Sequence, residues 1–238
     1  MIQLYAHRGN MSQFPENTLS AFQSAIDLGC PWLELDLQQT KDGYLVVTHD
    51  ESSVRVTGIS KIIAQTNYDE LKQLNFGAYL KDNKTHVLPL LSDVFELVKN
   101  TAVKVSIQPK ANGLVLPSIK LAKANGVFHQ IAFNDINCEY LIEAKLYDKN
   151  IPVHWDRLPG TELATDLHIA KQYGFETLMY LNEAITPEKV KQVQAAGFNM
   201  GACVVNDIED FKKYLDWGIT HFYTDYPQEF LAIKEYNP

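Results

Sequence analysis

The sequence predicts an α/β fold, a (β/α)8 TIM barrel with a rim hairpin and a small insertion after residue 50. Short apolar runs alternate with segments of helical periodicity from one end of the chain to the other. Repeated βα units indicate a parallel sheet, because parallel strands need a helix-length crossover between them. The length of 238 residues suits one closed barrel. We therefore expect a single domain over residues 1–238.

Eight apolar runs are predicted as the parallel strands of the barrel. In chain order they span 2–6, 32–36, 103–108, 130–134, 151–155, 176–181, 199–205 and 221–225. Helical periodicity lies between them, over 16–29, 113–125, 136–148, 161–173, 186–196 and 207–217. Gly126 and Gly174 follow two of these helices, where a glycine favours helix termination.

A ninth apolar run, LVVTH at 45–49, does not fit the parallel sheet. The connection from Asp36 to Leu45 is too short for a crossover helix, and its Asp-Gly pair is typical of a hairpin. Residues 44–49 are therefore predicted to return antiparallel on the barrel rim. This fold-back brings His49 level with Leu35 and Asp36.

Residues 51–89 interrupt the βα rhythm and are predicted to be an insertion packed over the barrel rim, with one helix around 67–74. The insertion contains many charged residues, among them Asp69, Glu70 and Lys72. Its polarity argues against an apolar rim of the kind that would favour a lipid substrate.

Composition limits the class of partner. A formal net charge of −8 and a pI near 5.3 argue against a nucleic-acid or anionic-membrane surface. Three widely spaced cysteines predict neither a zinc site nor a disulfide framework, and so favour a reducing compartment. No run of 18 apolar residues and no leader-like segment is present. We expect a cytoplasmic protein without stable membrane insertion. The oligomeric state stays open.

Polar residues collect where the predicted strands end. Carboxyl ends of barrel strands meet at one face, which carries the working residues of such barrels. A single strand-end histidine is more often structural than catalytic, but carboxylates facing a barrel mouth are unfavourable unless paired or metal-bound. Their coincidence favours an active site, with candidates at His7, Arg8, Glu34, Asp36, His49, Gln108 and Lys110.

These residues lie in motifs that resemble the glycerophosphodiester phosphodiesterase family. The motifs are His-Arg-Gly, Pro-Glu-Asn-Thr, Glu-x-Asp, Lys-Asp-Gly and a closing His-Asp, all within residues 6–50. A looser resemblance continues to Tyr-Thr-Asp-Tyr-Pro at 223–227. The resemblance implies metal-dependent hydrolysis of a small-molecule glycerophosphodiester to glycerol 3-phosphate and an alcohol.

The resemblance also implies a role for each candidate. His7 and His49 would be general acid and base, via a cyclic phosphate, with the order of their roles left open. Glu34, Asp36 and Gln108 would bind a divalent cation, Mg²⁺ or Ca²⁺. The phosphoryl oxygens would be held by Arg8 and Lys110. Position at the later strand ends, rather than the resemblance, leads us to expect that Phe133 and Trp155 contact the leaving alcohol; Trp155 beside Asp156 would suit a cationic head group.

Two departures from the family pattern bear on activity. The third barrel strand of the family carries Glu-x-Lys, whereas this chain has Gln108 before Lys110. A Trp-Thr-Val-Asn motif of the family corresponds to Cys-Val-Val-Asn at 203–206. With two carboxylates instead of three, weaker metal binding is expected. Two alternatives stay open: the same chemistry on a lysophospholipid or polymer-linked glycerophosphate, and, because Gln108 replaces the glutamate of the family, a catalytically weakened binding protein.

Overall fold

Nine strands form one sheet in the computed structural model of the chain, which describes residues 2–80 and 84–233. The strands are β1 (Gln3–Ala6), β2 (Trp32–Gln39), β3 (Leu45–Val47), β4 (Lys104–Pro109), β5 (Ile131–Asp135), β6 (Val153–Arg157), β7 (Thr177–Leu181), β8 (Asn199–Cys203) and β9 (His221–Thr224). The α-helices are α1 (Leu19–Asp27), α2 (Val54–Thr57), α3 (Tyr68–Leu71), α4 (Leu91–Val98), α5 (Val115–Asn125), α6 (Cys138–Tyr147), α7 (Leu163–Tyr173), α8 (Pro187–Ala195), α9 (Ile208–Asp216) and α10 (Pro227–Leu231).

The sheet closes on itself. Its strand order is β1-β9-β8-β7-β6-β5-β4-β2-β3, and β1 also pairs with β2. Every pairing is parallel except that of β2 with β3, so eight parallel strands form the barrel and β3 lies outside it. The predicted (β/α)8 barrel is confirmed.

Side chains alternate between the inner and outer faces of each strand. On β2, Leu33, Leu35 and Leu37 face outward and join the apolar core beneath the helices. Glu34 and Asp36 alternate with them, and both are buried. Asp36 lies opposite Gln108 in the β2–β4 pairing, so the two share the inner face.

The rim hairpin is present with a shorter return strand than predicted. Val47 lies opposite Leu37, and the backbone N–H of Thr48 donates to the Asp36 carbonyl at 3.0 Å. Nε2 of Gln38 donates to the carbonyls of His49 (3.0 Å) and Asp50 (2.6 Å). These bonds hold His49 beside the carboxyl end of β2, as the fold-back required.

Residues between β3 and α4 contain α2, α3 and two short 3₁₀ turns, and they bury a small apolar cluster of their own around Val56, Ile63 and Phe76. The predicted helix around 67–74 is only Tyr68–Leu71. Residues 81–83 of the predicted insertion lie outside the described residues. The expectation of a polar surface needs correction, because this segment exposes large apolar side chains: Val54, Ile59, Ile62, Tyr79, Leu80 and Val87.

Three of the α-helices were not predicted. Helix α4 buries Leu91, Val94, Phe95 and Val98, a pattern typical of an amphipathic helix, and Oδ2 of Asp93 accepts from the N–H of Leu90 at 3.0 Å. The other two are short: α2 in the insertion and α10 after β9. Across residues 2–80 and 84–233, no helix combines the length and apolarity needed to cross a membrane.

Candidate active site

The carboxyl ends of the barrel strands surround a cavity of about 230 Å³. Five of the predicted site residues line it: His7, Arg8, His49, Gln108 and Lys110. They come from β1, the rim hairpin and β4, so the barrel brings together side chains that are far apart in the sequence. The predicted convergence of these residues is observed.

His7 is held by a residue at the other end of the chain. Its Nδ1 lies 2.7 Å from Oδ1 of Asp225, which directly follows β9. Burial alone lowers the pKa of His7, but the hydrogen bond to Asp225 and the charge of Glu34 outweigh it, so the pKa is raised. Asn206 fixes the carboxylate in turn, since its Nδ2 donates to Oδ2 of Asp225 at 2.7 Å.

His49 has a matching partner in the next residue. Its Nδ1 lies 2.7 Å from Oδ1 of Asp50, whose Oδ2 accepts from Nε of Arg55 at 2.5 Å. Burial would raise the pKa of Asp50, but the hydrogen bonds from Arg55 and His49 lower it. Arg55 also donates to both carboxylate oxygens of Glu16, at 2.7 and 2.8 Å. The first helix of the insertion is thereby tied to His49.

The turn after β1 has an unusual backbone that serves the site. Arg8 adopts a positive φ of 54°, and its N–H donates to Oε2 of Glu34 at 3.1 Å. Gly9 follows at φ 89°, and a Cβ there would lie 2.7 Å from Cβ of Ala21 on α1. Only glycine fits this position, because both the left-handed conformation and the close helix exclude a side chain.

The two carboxylates of β2 have opposite electrostatic environments. Burial would raise the pKa of Asp36, but Arg8 and Lys110 outweigh burial and hold it at about 2. Nε of Arg8 lies 3.0 Å from Oδ2 of Asp36, and Nζ of Lys110 lies 2.8 Å from Oδ1. For Glu34, burial and then the charge of Asp36 raise the pKa. Asp36 is thus a paired anion, whereas Glu34 is a carboxyl whose ionised form is poorly compensated.

The Pro-Glu-Asn-Thr motif supports this pair rather than lining the cavity. Asn17, at φ 56°, donates from Nδ2 to Oδ2 of Asp36 at 2.8 Å and accepts from the Asp36 N–H at 3.2 Å. Glu16 accepts from Nη1 of Arg8 at 3.1 Å. Thr18 caps α1 by accepting from the N–H of Ala21. The motif therefore fixes Arg8 and Asp36 relative to one helix.

Gln108 lies between a cation and a carboxyl group. Its Oε1 accepts from Nζ of Lys110, and its Nε2 donates to Oδ2 of Asp156 at 3.2 Å. Asp156 lies on the inner face of β6 and lines the same cavity. Burial raises the pKa of Asp156 to about 7; Asn134 lowers it through a hydrogen bond, and Glu34 raises it through its charge.

Two predicted substrate residues lie elsewhere. Phe133 is fully buried in the core between the barrel and the helices, while its neighbour Asn134 faces inward to Asp156. Trp155 is also buried on the outer face, where its Nε1 donates to the Ile136 carbonyl at 3.0 Å. The guanidinium of Arg157 lies 3.9 Å from the Trp155 ring centroid, in the position expected for a cationic head group. The expectation that Phe133 and Trp155 contact the leaving alcohol is corrected: both point away from the cavity.

The donor atoms at the mouth are of the kind that a hard cation takes. Glu34 and Asp36 offer carboxylate oxygens and Gln108 an amide oxygen, all on the inner faces of adjacent strands. Within residues 2–80 and 84–233, no group of three or more His, Cys, Asp or Glu side chains could hold a metal ion, so a cation here would need the Gln108 amide oxygen as well. The buried Glu34 carboxyl, with its raised pKa, is the group that a cation would stabilise in its ionised form. The residues therefore fit Mg²⁺ or Ca²⁺.

Comparison with known proteins identifies relatives of this chain. Residues 7–126 match the glycerophosphoryl diester phosphodiesterase family. A glycerophosphodiester phosphodiesterase from Caldanaerobacter subterraneus is 29% identical over 96% of each chain. A lysophospholipase D from Homo sapiens is 28% identical over 93% of this chain and 82% of its own. A phosphodiesterase from Oleispira antarctica, solved with its product sn-glycerol-3-phosphate, is 25% identical, with a TM-score of 0.89 over 98% of this chain and 97% of its own.

The match to the family covers half of the chain and includes the residues at the barrel mouth that the motifs singled out, from His7 to Lys110. The similarity in structure extends over nearly the whole barrel. The chain belongs to the glycerophosphoryl diester phosphodiesterase family.

Proposed function

We propose that this phosphodiesterase hydrolyses glycerophosphodiesters to sn-glycerol 3-phosphate and an alcohol, with His7 and His49 as its two proton carriers. One observation carries the proposal: two imidazoles stand at one cavity, and each is held through Nδ1 by a carboxylate at 2.7 Å. With Nδ1 engaged, Nε2 of each ring is the atom that exchanges a proton with substrate. The relative solved with sn-glycerol-3-phosphate supports the substrate class.

Arg8 and Lys110 bind the phosphodiester. Their side chains keep 17% and 18% exposure at the cavity wall while their charged groups contact Asp36. Charge-assisted hydrogen bonds from these two cations to the non-bridging oxygens would orient phosphorus and stabilise the charge that develops on it. Asp36 keeps both side chains in place before substrate arrives.

The chemistry proceeds in two steps that use both histidines. One imidazole removes the proton of the glycerol 2-hydroxyl as that oxygen attacks phosphorus, and the other donates a proton to the departing alcohol oxygen. A five-membered cyclic phosphate results. Water then opens the ring with the proton roles reversed, which returns each histidine to its starting state. The order of the roles is set by which imidazole is protonated when substrate binds.

Glu34, Asp36 and Gln108 would hold a divalent cation, Mg²⁺ or Ca²⁺. When bound, the cation supplies a Lewis acid that lowers the pKa of a coordinated hydroxyl and offsets negative charge on the phosphate. Its presence would also allow the buried Glu34 to ionise beside Asp36.

The decisive experiment is a coupled glycerol 3-phosphate assay on several glycerophosphodiesters, with Mg²⁺, Ca²⁺, Mn²⁺ or EDTA. Release of glycerol 3-phosphate that depends on a divalent cation is expected. Full turnover after exhaustive chelation would contradict the metal site. If no glycerol 3-phosphate were released from any substrate with any cation, the result would instead support the alternative that the chain is a binding protein in which Gln108 has weakened catalysis.

A lysophospholipid is the second candidate substrate, favoured by apolar surface at the mouth. Ile136 and Leu158 line the cavity and are 46% and 41% exposed. Val54 is exposed on α2, and the next residue, Arg55, donates a hydrogen bond to Asp50 beside His49. One relative is named a lysophospholipase D. Turnover of lysophosphatidylcholine that exceeds that of glycerophosphocholine, and that falls in Ile136→Asp, would identify this substrate. Equal loss on both substrates would show general damage instead.

A further inference from the structure

The amide of Gln108 is held in one orientation by the two groups it contacts. Asp156, when ionised, can only accept a hydrogen bond, and the ammonium of Lys110 can only donate one. The bond to Asp156 at 3.2 Å therefore requires the nitrogen of the amide on that side, and the bond from Lys110 requires the oxygen on the other. Because Lys110 also contacts Asp36, the Gln108 oxygen is turned toward the carboxylates of β2.

Asp156 is a buried carboxyl group with an unused oxygen. Its exposure is 8%, and it lines the cavity beside Gln108. Oδ2 accepts from Nε2 of Gln108 and from Nδ2 of Asn134, the latter at 3.3 Å. Oδ1 accepts no hydrogen bond from any residue that the structure describes. A buried carboxylate with a free oxygen is unfavourable unless positive charge approaches it.

A chain of polar contacts through the barrel interior fixes Asp156 in place. Oγ of Ser106 donates to Oδ1 of Asn134 at 2.8 Å, which leaves Nδ2 of Asn134 to donate to Asp156. Ser106 also contacts Nδ1 of His154 at 3.2 Å, and Nε2 of His154 contacts the hydroxyl of Tyr5 at 3.1 Å. All these side chains are buried, so the carboxyl group of Asp156 is presented to Gln108 by a rigid support.

We propose that Asp156 is the positioning residue of Gln108: it aims the amide oxygen at the metal site and supplies there the negative charge that glutamine lacks. The pair Gln108–Asp156 then takes the place of the glutamate that the family carries before its strand-end lysine. This inference rests on the proposed cation site formed by Glu34, Asp36 and Gln108.

The proposal predicts the opposite effect on cation affinity from the one expected by counting the negative charges at the site. By charge alone, Gln108→Glu should tighten cation binding. In this structure the new carboxylate would stand about 3 Å from that of Asp156, where like charges repel and neither oxygen can donate. Asp156→Asn gives a different defect: it removes the negative charge beside Gln108 and leaves the amide to be oriented by Lys110 alone. In the double variant Gln108→Glu/Asp156→Asn, the amide nitrogen of the introduced asparagine donates to the new carboxylate, so the contact is restored with its polarity reversed.

The test measures Mn²⁺ binding directly, from the free-ion electron paramagnetic resonance signal, on wild type and the three variants. Asp156→Asn should weaken binding by about 10–100-fold, as loss of an orienting partner does at metal sites. Gln108→Glu should bind no more tightly than wild type, and the double variant should recover wild-type affinity or better. Asp135→Asn is the matched control: it removes a carboxyl at the neighbouring strand end that has its own partner, the Asn137 N–H, and should change affinity by less than about fivefold.

Two results would overturn the inference: tighter binding in Gln108→Glu together with unchanged binding in Asp156→Asn, or a double variant no better than the weaker single variant. Wild type that cleaves glycerophosphocholine without binding Mn²⁺ would also overturn it, while leaving the proposed activity intact. Wild type that binds Mn²⁺, shows the rescue pattern and cleaves no glycerophosphodiester would uphold the inference and overturn the proposed activity.

Discussion

Nδ1 of His7 and Oδ1 of Asp225 lie 2.7 Å apart although 218 positions separate the two residues in the chain. The contact exists because β1 pairs with β9 in the closed barrel, which places residue 7 beside the loop after β9. On the far side of the mouth, His49 makes the same contact with its immediate neighbour Asp50. One imidazole thus depends on barrel closure for its orientation, and the other depends on the hairpin and on Arg55 of α2.

Removal of either histidine should abolish most turnover. We expect His7→Ala and His49→Ala each to lower kcat by about 10²–10⁴-fold, since general acid–base groups contribute that much and neither imidazole can do both proton transfers. Steady-state release of glycerol 3-phosphate measures the effect. His129→Ala is the control, because His129 lies outside the residues that line the cavity. A variant that keeps more than about a tenth of the wild-type rate would remove that histidine from the mechanism.

The Asp225 contact should set one limb of the pH–rate profile. Since the hydrogen bond to Asp225 raises the pKa of His7 against the opposing effect of burial, Asp225→Asn should lower that pKa. The limb of kcat/KM that reports His7 then moves to lower pH. Movement of the acid limb would identify His7 as the base of the first step, and movement of the alkaline limb would identify it as the acid. If both limbs stayed in place, His7 would not titrate in the reaction.

Much of this fold could be predicted because it depends on local patterns. Period-2 and helical apolar spacing located the barrel strands to within a few residues, and the short Asp-Gly connection forced β3 out of the parallel sheet. The polar residues that close each motif were found for the same reason. A polar residue at the carboxyl end of a barrel strand lies at the one face of the barrel where such residues meet.

The predictions for the leaving-group residues were wrong because the sequence did not show which side chains face the inside of the barrel and which face the helices. On β5 and β6, Phe133 and Trp155 are aromatic neighbours of polar residues, and sequence alone does not say which of two adjacent residues faces inward. The register settles it: Asn134 lies opposite His154, and both face the barrel interior. The role proposed for Asp156 beside Gln108 was not predicted from the sequence. Its role depends on a contact with Gln108 across two strands, which no local pattern reveals.

Asp36 and Glu34 should differ in their contribution to stability. Asp36→Asn leaves Arg8 and Lys110 without their shared anion and should lower the free energy of unfolding by about 3 kcal/mol or more, as loss of one partner from a buried ion pair does. Glu34→Gln removes a buried carboxyl whose pKa is raised and should leave the metal-free fold as stable or more so. Urea unfolding at neutral pH with EDTA compares them. Equal destabilisation would mean that the two carboxyls share one role.

Asp156 should make the metal-free protein lose stability as pH rises. Burial and the charge of Glu34 raise its pKa to about 7 in the folded state, whereas the unfolded side chain titrates near 4. Between these values the folded protein retains a proton that the unfolded chain has released, so stability falls with increasing pH across this window and is lowest above it. The full difference is on the order of 3 kcal/mol, because each pKa unit corresponds to about 1.4 kcal/mol and solvent relaxation reduces the total.

Asp156→Asn should remove this dependence, because asparagine does not ionise. With EDTA present, the variant should match wild type near pH 4 and exceed its unfolding free energy near pH 8 by a few kcal/mol. Asp216→Asn, at a carboxyl on α9 that does not line the cavity, is the control and should show no such divergence. Saturating Mn²⁺ should narrow the difference in unfolding free energy near pH 8, since a cation at the mouth stabilises the ionised carboxyl in wild type and binds the variant more weakly.

A difference in unfolding free energy between variant and wild type that does not change with pH would show that Asp156 is not the group that titrates. A gap that changes with pH but not with Mn²⁺ would separate its ionisation from the cation site.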